Sequence, residues 1–312
     1  MSIVAPFYNE GEAVDSFYRA LRRVLADIPD VRFEVICVDD GSRDETLQKL
    51  IALVDRDVRF SVIELSRNFG KEAALTAGLD EAKGDAVIPI DADLQDPPQV
   101  IPALIAAWKN GADVVLAQRA DRDSDSFVKR RTAMLFYRLH NWLSKVHMPV
   151  NVGDFRLMDR VVVEALKQLP ERQRFMKGLF AWVGFKTAII KYSRGTRNVG
   201  STKYSWFSLM NLAVEGLTSF STAPLRLCTY VGTLTAAITL VYASYILVRT
   251  LIRGIDIPGY ASLLVAVLFL GSLQLIGIGL LGEYVGRTYL ETKQRPRYLV
   301  RRLHKGRNEK PN

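Results

Sequence analysis

Histidine and cysteine are scarce in this chain, at three and two among 312 residues. His140, His147 and His304 are scattered and form no His-Glu-x-x-His pair, which excludes a zinc site of that type. Cys37 falls in a predicted buried strand and Cys228 in a predicted span. Neither has ligand-like spacing, so both read as small apolar residues and no disulfide is expected. No basic segment with a cleavable apolar core precedes the first strand, residues 2–6, so no signal peptide is expected. The net charge of +9 comes with no recognised nucleic-acid motif, and nucleic acid is not expected as a partner. Charge is missing altogether from residues 227–248 and 257–282. Each run meets the roughly 20 apolar residues that a bilayer-crossing helix needs. The link at 249–256 is too short for a domain, so the two helices are expected to form a hairpin that returns the chain to its starting side.

The positive charge is unevenly placed. Lys129, Arg130, Arg131 and Arg138 form one cluster, and Arg287, Lys293, Arg295, Arg297, Arg301, Arg302, Lys305 and Arg307 follow the second span. Basic clusters beside spans mark the cytoplasmic face and attract anionic membrane lipids. Residues 127–143 mix the first cluster with Phe127, Met134, Leu135, Phe136, Leu139 and Trp142, as a helix lying in the headgroup layer would. Residues 204–221, with Trp206, Phe207, Leu209 and Met210, read as a second interfacial helix; ordinary core packing is the alternative for both.

Ahead of these segments, short β-branched runs alternate with helical patterns. Strands are expected at 3–5, 33–38, 61–65, 86–90 and 113–118. Helices are expected around 13–28, 46–54, 71–82 and 98–109. This alternation predicts βαβ units, an α/β fold with a mostly parallel sheet, and a nucleotide-binding type of architecture. Ligands of such sheets sit beyond the carboxyl ends of the strands, where Asp39-Asp40 and Asp91-Ala92-Asp93 both fall. Alternation carried on from the strand would point Asp91 and Asp93 to one side, where they could share a hard cation with a diphosphate. Mg²⁺ or Mn²⁺ suits such a site, because it uses few protein carboxylates and fills its shell with water and phosphate oxygens.

The ordered motifs Pro6-Phe7-Tyr8-Asn9-Glu10, Val38-Asp39-Asp40-Gly41-Ser42, Ser66-Arg67-Asn68-Phe69-Gly70-Lys71, Asp91-Ala92-Asp93 with Gln95, Gly153-Asp154-Phe155-Arg156-Leu157-Met158, Arg174-Phe175-Met176-Lys177-Gly178 and Arg197 through Lys203 carry a resemblance. The chain resembles the inverting family-2 glycosyltransferases, and specifically the membrane-bound polyprenyl-phosphate glycosyltransferases related to dolichyl-phosphate mannose synthase. The resemblance implies a glycosyltransferase-A, Rossmann-like catalytic domain over 1–203. After it would come the interfacial helix at 204–221, a transmembrane hairpin over 222–286 with spans near 227–249 and 258–282, and a basic cytoplasmic tail at 287–312. It implies transfer of one sugar, with inversion, from a nucleotide sugar to a polyprenyl (undecaprenyl) phosphate for cell-envelope glycans such as lipopolysaccharide. The likeness to bacterial members favours UDP, as in UDP-glucose, over GDP.

By the same resemblance Pro6, Tyr8, Glu10, Asp39, Lys71, Asp91, Ala92 and Arg119 serve the nucleotide sugar. Asp91, Asp93 and Gln95 serve the metal, and Arg156, Arg197 and Lys203 serve the acceptor and its phosphate. Asp93 and Asp154 are the catalytic candidates. Asp154 acts either as a base or as the group that orients Arg156 and the acceptor. Ser201 stands where many relatives carry an acidic residue. The implied location is the inner (plasma) membrane, multi-pass, with the catalytic domain and both termini cytoplasmic and a homo-oligomer left open. A processive polysaccharide synthase would carry a Gln-x-x-Arg-Trp sequence, which is absent. A receiver-type signalling domain would not place acidic motifs on two strands with Gln95 beside the second. A non-catalytic membrane scaffold would have lost the Asp-x-Asp.

Overall fold

The structure, a computed structural model, describes residues 1–119, 152–172, 174, 176–192, 223–253 and 259–306. The expected helix at 127–143, the expected interfacial helix at 204–221, Arg197 and Lys203 lie outside the described residues.

The strands are β1 (Ser2–Phe7), β2 (Glu34–Asp39), β3 (Phe60–Leu65), β4 (Ala86–Pro89), β5 (Val114–Arg119), β6 (Val152–Asp159), β7 (Thr187–Tyr192) and β8 (Val300–Lys305). The helices are α1 (Val14–Ala26), α2 (Thr46–Arg56), α3 (Lys71–Glu81), α4 (Ile101–Lys109), α5 (Arg160–Gln168), α6 (Met176–Trp182), α7 (Ala223–Arg253) and α8 (Tyr260–Thr292). One sheet holds all eight strands, in the order β7-β5-β6-β4-β1-β2-β3-β8. β6 and β8 run antiparallel to their neighbours, and the rest of the sheet is parallel.

The central strands read as unbroken apolar runs because both of their faces are covered. Ile3, Ala5, Phe7, Val35 and Cys37 pack with α1, α2 and α4 on one side, while Val4, Ile36 and Val38 pack with α3, α5 and α6 on the other. In α1 the buried positions Val14, Phe17, Leu21, Val24 and Leu25 recur at helical spacing, and Phe17 meets Phe7 edge to face at 5.4 Å. Burying each such side chain contributes about 1.5–3 kcal/mol. Cys37 belongs to this core, where burial pushes its thiol up to about 12 and leaves it inert. On the other face α3 approaches the sheet through Gly78, where an added Cβ would lie 2.2 Å from Val4 Cγ1.

Order within the sheet decides where a ligand can sit. From β1 the chain winds outward through β2 and β3, then returns to β4 on the opposite side of β1. The crevice at this reversal, beyond the carboxyl ends of β1 and β4, is the expected binding position.

Two elements depart from the sequence-based expectation. Over 300–305 the stretch expected as a basic tail is an edge strand antiparallel to β3, with Ser61 opposite Lys305 and Leu65 opposite Val300. Its alternation is masked by charge, because an edge strand keeps one face in water and uses basic residues to discourage further pairing. The motif around Asp154 forms β6, inserted between β4 and β5. Two long helices stand where the hairpin was expected, and Cys228–Arg253 and Ala266–Thr292 are each long and apolar enough to cross a membrane; α8 runs on to Thr292, past the expected end of the second span at 282. Their apolar side chains point outward rather than into a protein core, as lipid-facing helices require.

Candidate functional site

The loops following β1 to β4 meet on one edge of the sheet. After β1 the backbone turns at Asn9 (φ 51°), whose N–H donates to Ser42 Oγ at 3.0 Å and whose Oδ1 accepts from Arg43 N at 2.9 Å. Glu10 N donates to Thr46 Oγ1 at 2.9 Å, and Gly11 N to Asp44 Oδ2 at 3.1 Å. The loops after β1 and β2 are therefore stitched into one wall. Tyr8 stands exposed on that wall, and Pro6 is half-buried beneath it.

Asp39 closes β2 and is buried. Its Oδ2 accepts from Ser42 N at 3.2 Å, whereas its buried Oδ1 has no hydrogen-bond partner among the described residues. Burial pushes its pKa up, against the hydrogen bonds from Ser42. A buried acceptor left without a donor costs free energy that a ligand N–H or O–H would recover.

Asp40, its neighbour, is fully engaged. It accepts from Phe69 N at 2.7 Å, Gly70 N at 2.9 Å and Asn68 Nδ2 at 3.1 Å. Gly41 (φ +67°) lets this turn press against the next loop, since a Cβ there would lie 2.4 Å from the Arg67 carbonyl carbon. Asp40 thereby fastens the segment that delivers Lys71, a positioning role that the sequence showed only as one half of an acidic pair.

Lys71, the first residue of α3, is the centre of the site. Its ammonium lies 2.7 Å from Asp91 Oδ1 and 2.7 Å from Asp154 Oδ2, so it bridges two carboxylates from opposite strands. The register explains the meeting. β4 and β6 pair Ala86 with Asp159 and Val87 with Met158. Continued beyond the strand end, that antiparallel register sets Asp91 opposite Asp154. Burial alone would lower the lysine's pKa, but attraction to Asp154 and Asp91 outweighs it, and the ammonium is held above the ordinary lysine value. Burial raises the Asp91 pKa, Lys71 opposes that shift, and Asp154 reinforces it.

The Asp91 to Gln95 segment corrects one step of the sequence reading. β4 ends at Pro89, and Ala92 and Asp93 form a turn with Leu94 at φ 55°, so no extended strand carries Asp91 and Asp93 to a common side. Ala92 is packed into the core, while Asp91, Asp93, Leu94 and Gln95 are all half-buried. Gln95 N donates to Asp93 Oδ1 at 3.1 Å, tightening the turn.

Asp96 is buried and accepts from the Tyr192 hydroxyl and from Arg119 Nη2, the latter at 3.3 Å. Arg119 also donates to the Tyr192 hydroxyl at 3.3 Å, which fixes its guanidinium at the end of β5. The only sequence signal for Asp96 was an acid before a proline, which a helix start explains equally well. A Cβ at Gly153 would stand 3.5 Å from Arg119 Nη2 and 3.8 Å from Asp96 Oδ2, so this network adjoins Asp154.

Arg156, expected at the acceptor phosphate, is placed differently. It is 4% exposed, stacks over Phe180 at 4.0 Å, and donates to Gly153 O at 2.6 Å and Asp154 O at 3.3 Å. Burial pushes its pKa down to about 10, so it remains charged at neutral pH and supports the Asp154 backbone from below. Arg174 is likewise internal, donating to Leu166 O and Leu169 O at the end of α5. The structure thus gathers Pro6, Tyr8, Glu10, Asp39, Lys71, Asp91, Ala92, Asp93, Gln95, Arg119 and Asp154 along one sheet edge, with Arg156 beneath them.

Residues 2–167 match the model of glycosyl transferase family 2, and residues 223–288 match that of the GtrB C-terminal hairpin. The chain is 51% identical over 305 residues to the prophage bactoprenol glucosyl transferase homolog of Escherichia coli (strain K12), covering 98% of this chain and 99% of the relative. It is 50% identical over 306 residues to the bactoprenol glucosyl transferase of Shigella phage SfII, covering 98% and 99% respectively.

Proposed function

The chain belongs to glycosyl transferase family 2, and from that premise we propose that it moves one glucosyl unit from UDP-glucose to the phosphate of a polyprenol in the bilayer, with inversion at the anomeric carbon. The observation that carries this reading is the convergence of Asp91 and Asp154 on Lys71 at the switch point of the sheet. The matched hairpin and the two apolar helices support a membrane-embedded acceptor. They also support a topology in which both helix ends nearest the sheet lie on the cytoplasmic side.

In this reading the unmet oxygen of Asp39 takes a donor from the base or ribose, and Tyr8, Pro6 and Glu10 form the wall against which the nucleoside rests. Arg119 is held by Asp96 at the height of the diphosphate. Asp91, Asp93 and Gln95 offer oxygen ligands only, and two carboxylates face the single ammonium of Lys71, which suits a hard divalent ion. Among the described residues no cluster of three or more His, Cys, Asp or Glu side chains could enclose a metal. That fits Mg²⁺ or Mn²⁺ held partly by substrate oxygens. When bound, such an ion neutralises the charge that grows on the departing nucleoside diphosphate.

The acceptor phosphate, with a second pKa of about 6, is largely ionised at neutral pH and needs positioning more than deprotonation. Asp154, paired with Lys71 and propped by Arg156, keeps the ammonium fixed between the two carboxylates. Orientation is therefore its proposed role. Arg197 and Lys203 are proposed to meet the acceptor phosphate.

The test is purified protein in lipid nanodiscs with undecaprenyl phosphate, Mg²⁺ and radiolabelled UDP-glucose, followed by extraction of labelled lipid and NMR of the product's anomeric carbon. Labelled lipid with the inverted configuration is expected. Product of retained configuration, or no labelled lipid at all, would overturn the reading.

A further inference from the structure

α3 is an 11-residue helix with Lys71 at its first position, so whatever orients the helix also places the ammonium. Its far end is tied directly to the chain that leaves the second apolar helix, and its near end indirectly, by way of Met176 and Arg172. At the far end, Asp80 accepts from the Tyr298 hydroxyl at 2.8 Å, and Glu81 pairs with Lys305 at 3.0 Å. At the near end, Glu72 accepts from Met176 N at 3.3 Å. The segment that leads into Met176 is itself fastened to the last turn of α8 and beyond. Arg172 N donates to both carboxylate oxygens of Glu291, at 2.9 and 3.1 Å, the Arg172 guanidinium reaches Arg295 O, and Arg297 reaches Leu169 O. β8 then completes the attachment along β3.

We infer that the chain emerging from the membrane, through Glu291 and Tyr298, sets the position of α3 and hence of Lys71. On this view Glu291 and Tyr298 are positioning residues for glucosyl transfer, and the membrane helix and the catalytic ammonium move as one body. The inference rests on the proposed function for its kinetic arm and on geometry alone for its structural arm. Contacts of this sort at a partly exposed surface add little to stability. Displacing a reacting group by about 1 Å can nonetheless cost on the order of 100-fold in rate. The joint should therefore matter far more for turnover in a bilayer than for folding.

The experiment uses the full chain in nanodiscs of anionic phospholipid and compares wild type, Glu291→Gln and the double variant Glu291→Ala, Tyr298→Phe. Hydrogen exchange of backbone amides 71–78 is read alongside donor KM and the kcat for undecaprenyl phosphate in the bilayer and for a water-soluble short-chain acceptor. In the double variant we expect faster exchange in 71–78 and a fall of about ten-fold in kcat with the bilayer acceptor. Turnover with the soluble acceptor should fall in step, because the same Lys71 serves both acceptors. Glu291→Gln, which keeps an acceptor for Arg172 N, should stay within about two-fold. Unchanged exchange in 71–78 overturns the inference whatever the turnover does. An unchanged kcat in the double variant, or a fall that glutamine at 291 shares in full, overturns it as well. If the wild type transfers no sugar to either acceptor, it is the proposed function that fails, and the exchange arm still decides the joint.

Discussion

At the residue scale the site is governed by one lysine between two carboxylates. Replacing Lys71 with Met keeps much of the side chain's bulk but removes the charge that opposes the burial-driven rise of the Asp91 pKa and that pairs with Asp154. We expect kcat to fall on the order of 100-fold, as when one preorganised electrostatic group is lost. The sign of the pH effect also follows. Lys71 lowers the Asp91 pKa against burial, so in Lys71→Met the acid limb of the kcat/KM profile should move to higher pH; a limb that stays put would show that Asp91 does not titrate in turnover. The lysine's own raised pKa adds stability that is fully present below the unfolded value and disappears only as pH climbs through the folded value. Its window is strongly alkaline and does not touch neutral pH. Asp91→Ala or Asp93→Ala, like EDTA, should abolish turnover in a protein that stays folded and membrane-bound, which circular dichroism and flotation would check. Asp154→Asn should leave a reduced but measurable rate, because the amide keeps shape without charge. Loss to background at every pH with both substrates still bound would instead identify Asp154 as a proton acceptor. Asp39 gives the reverse trade. Asp39→Asn should raise stability by about 1 kcal/mol, by removing a buried charge with an unmet oxygen, while weakening donor binding; thermal melts and calorimetry read the two effects separately.

At the element scale α3 carries the argument. Its close seat on β1 leaves no room for a methyl at Gly78, and Gly78→Ala is expected to cost about 1–3 kcal/mol by forcing Val4 and the helix apart, measurable in denaturant unfolding. β6 does its work by direction. Because it runs antiparallel between β4 and β5, its first residues lie at the same edge as the last residues of its neighbours, which brings Asp154 to Asp91. The sequence placed β1 to β5 close to their observed positions, since continuous β-branched runs between amphipathic helices have few other ways to bury themselves. The motif 153–158 gave no strand signal of its own, because Asp154 and Arg156 interrupt its apolar run and are accommodated by tertiary partners such as Lys71, Phe180 and the Gly153 carbonyl.

At the scale of the whole molecule, β8 makes the catalytic sheet depend on chain that lies beyond the two apolar helices. A chain ending at residue 203 would lose β8, leave the β3 edge open and break the Glu64 contacts with Arg301 and His304. We expect it to aggregate and to melt earlier, as unpaired edges do. A chain in which residues 204–290 are replaced by a flexible linker should keep the β8 pairing, remain monodisperse by size exclusion and bind the donor, yet lose turnover of bilayer acceptor. Equal behaviour of the two shortened chains would show that β8 is dispensable.

Sequence alone determined the alternation that builds a parallel sheet, the uncharged runs long enough to cross a bilayer, and carboxylates at the ends of β2 and β4. These are properties of periodicity and composition over a few residues, which burial and backbone hydrogen bonding translate directly into local structure. Only the tertiary structure decided that Lys71 joins Asp91 to Asp154, two residues 20 and 83 positions away from it. It alone also turned Arg156 inward beneath Asp154 and returned the basic segment after the second apolar helix to the sheet as its eighth strand. Those outcomes depend on strand order, register and the close seat of one helix, and no local propensity encodes a contact whose partners meet only after the sheet has formed.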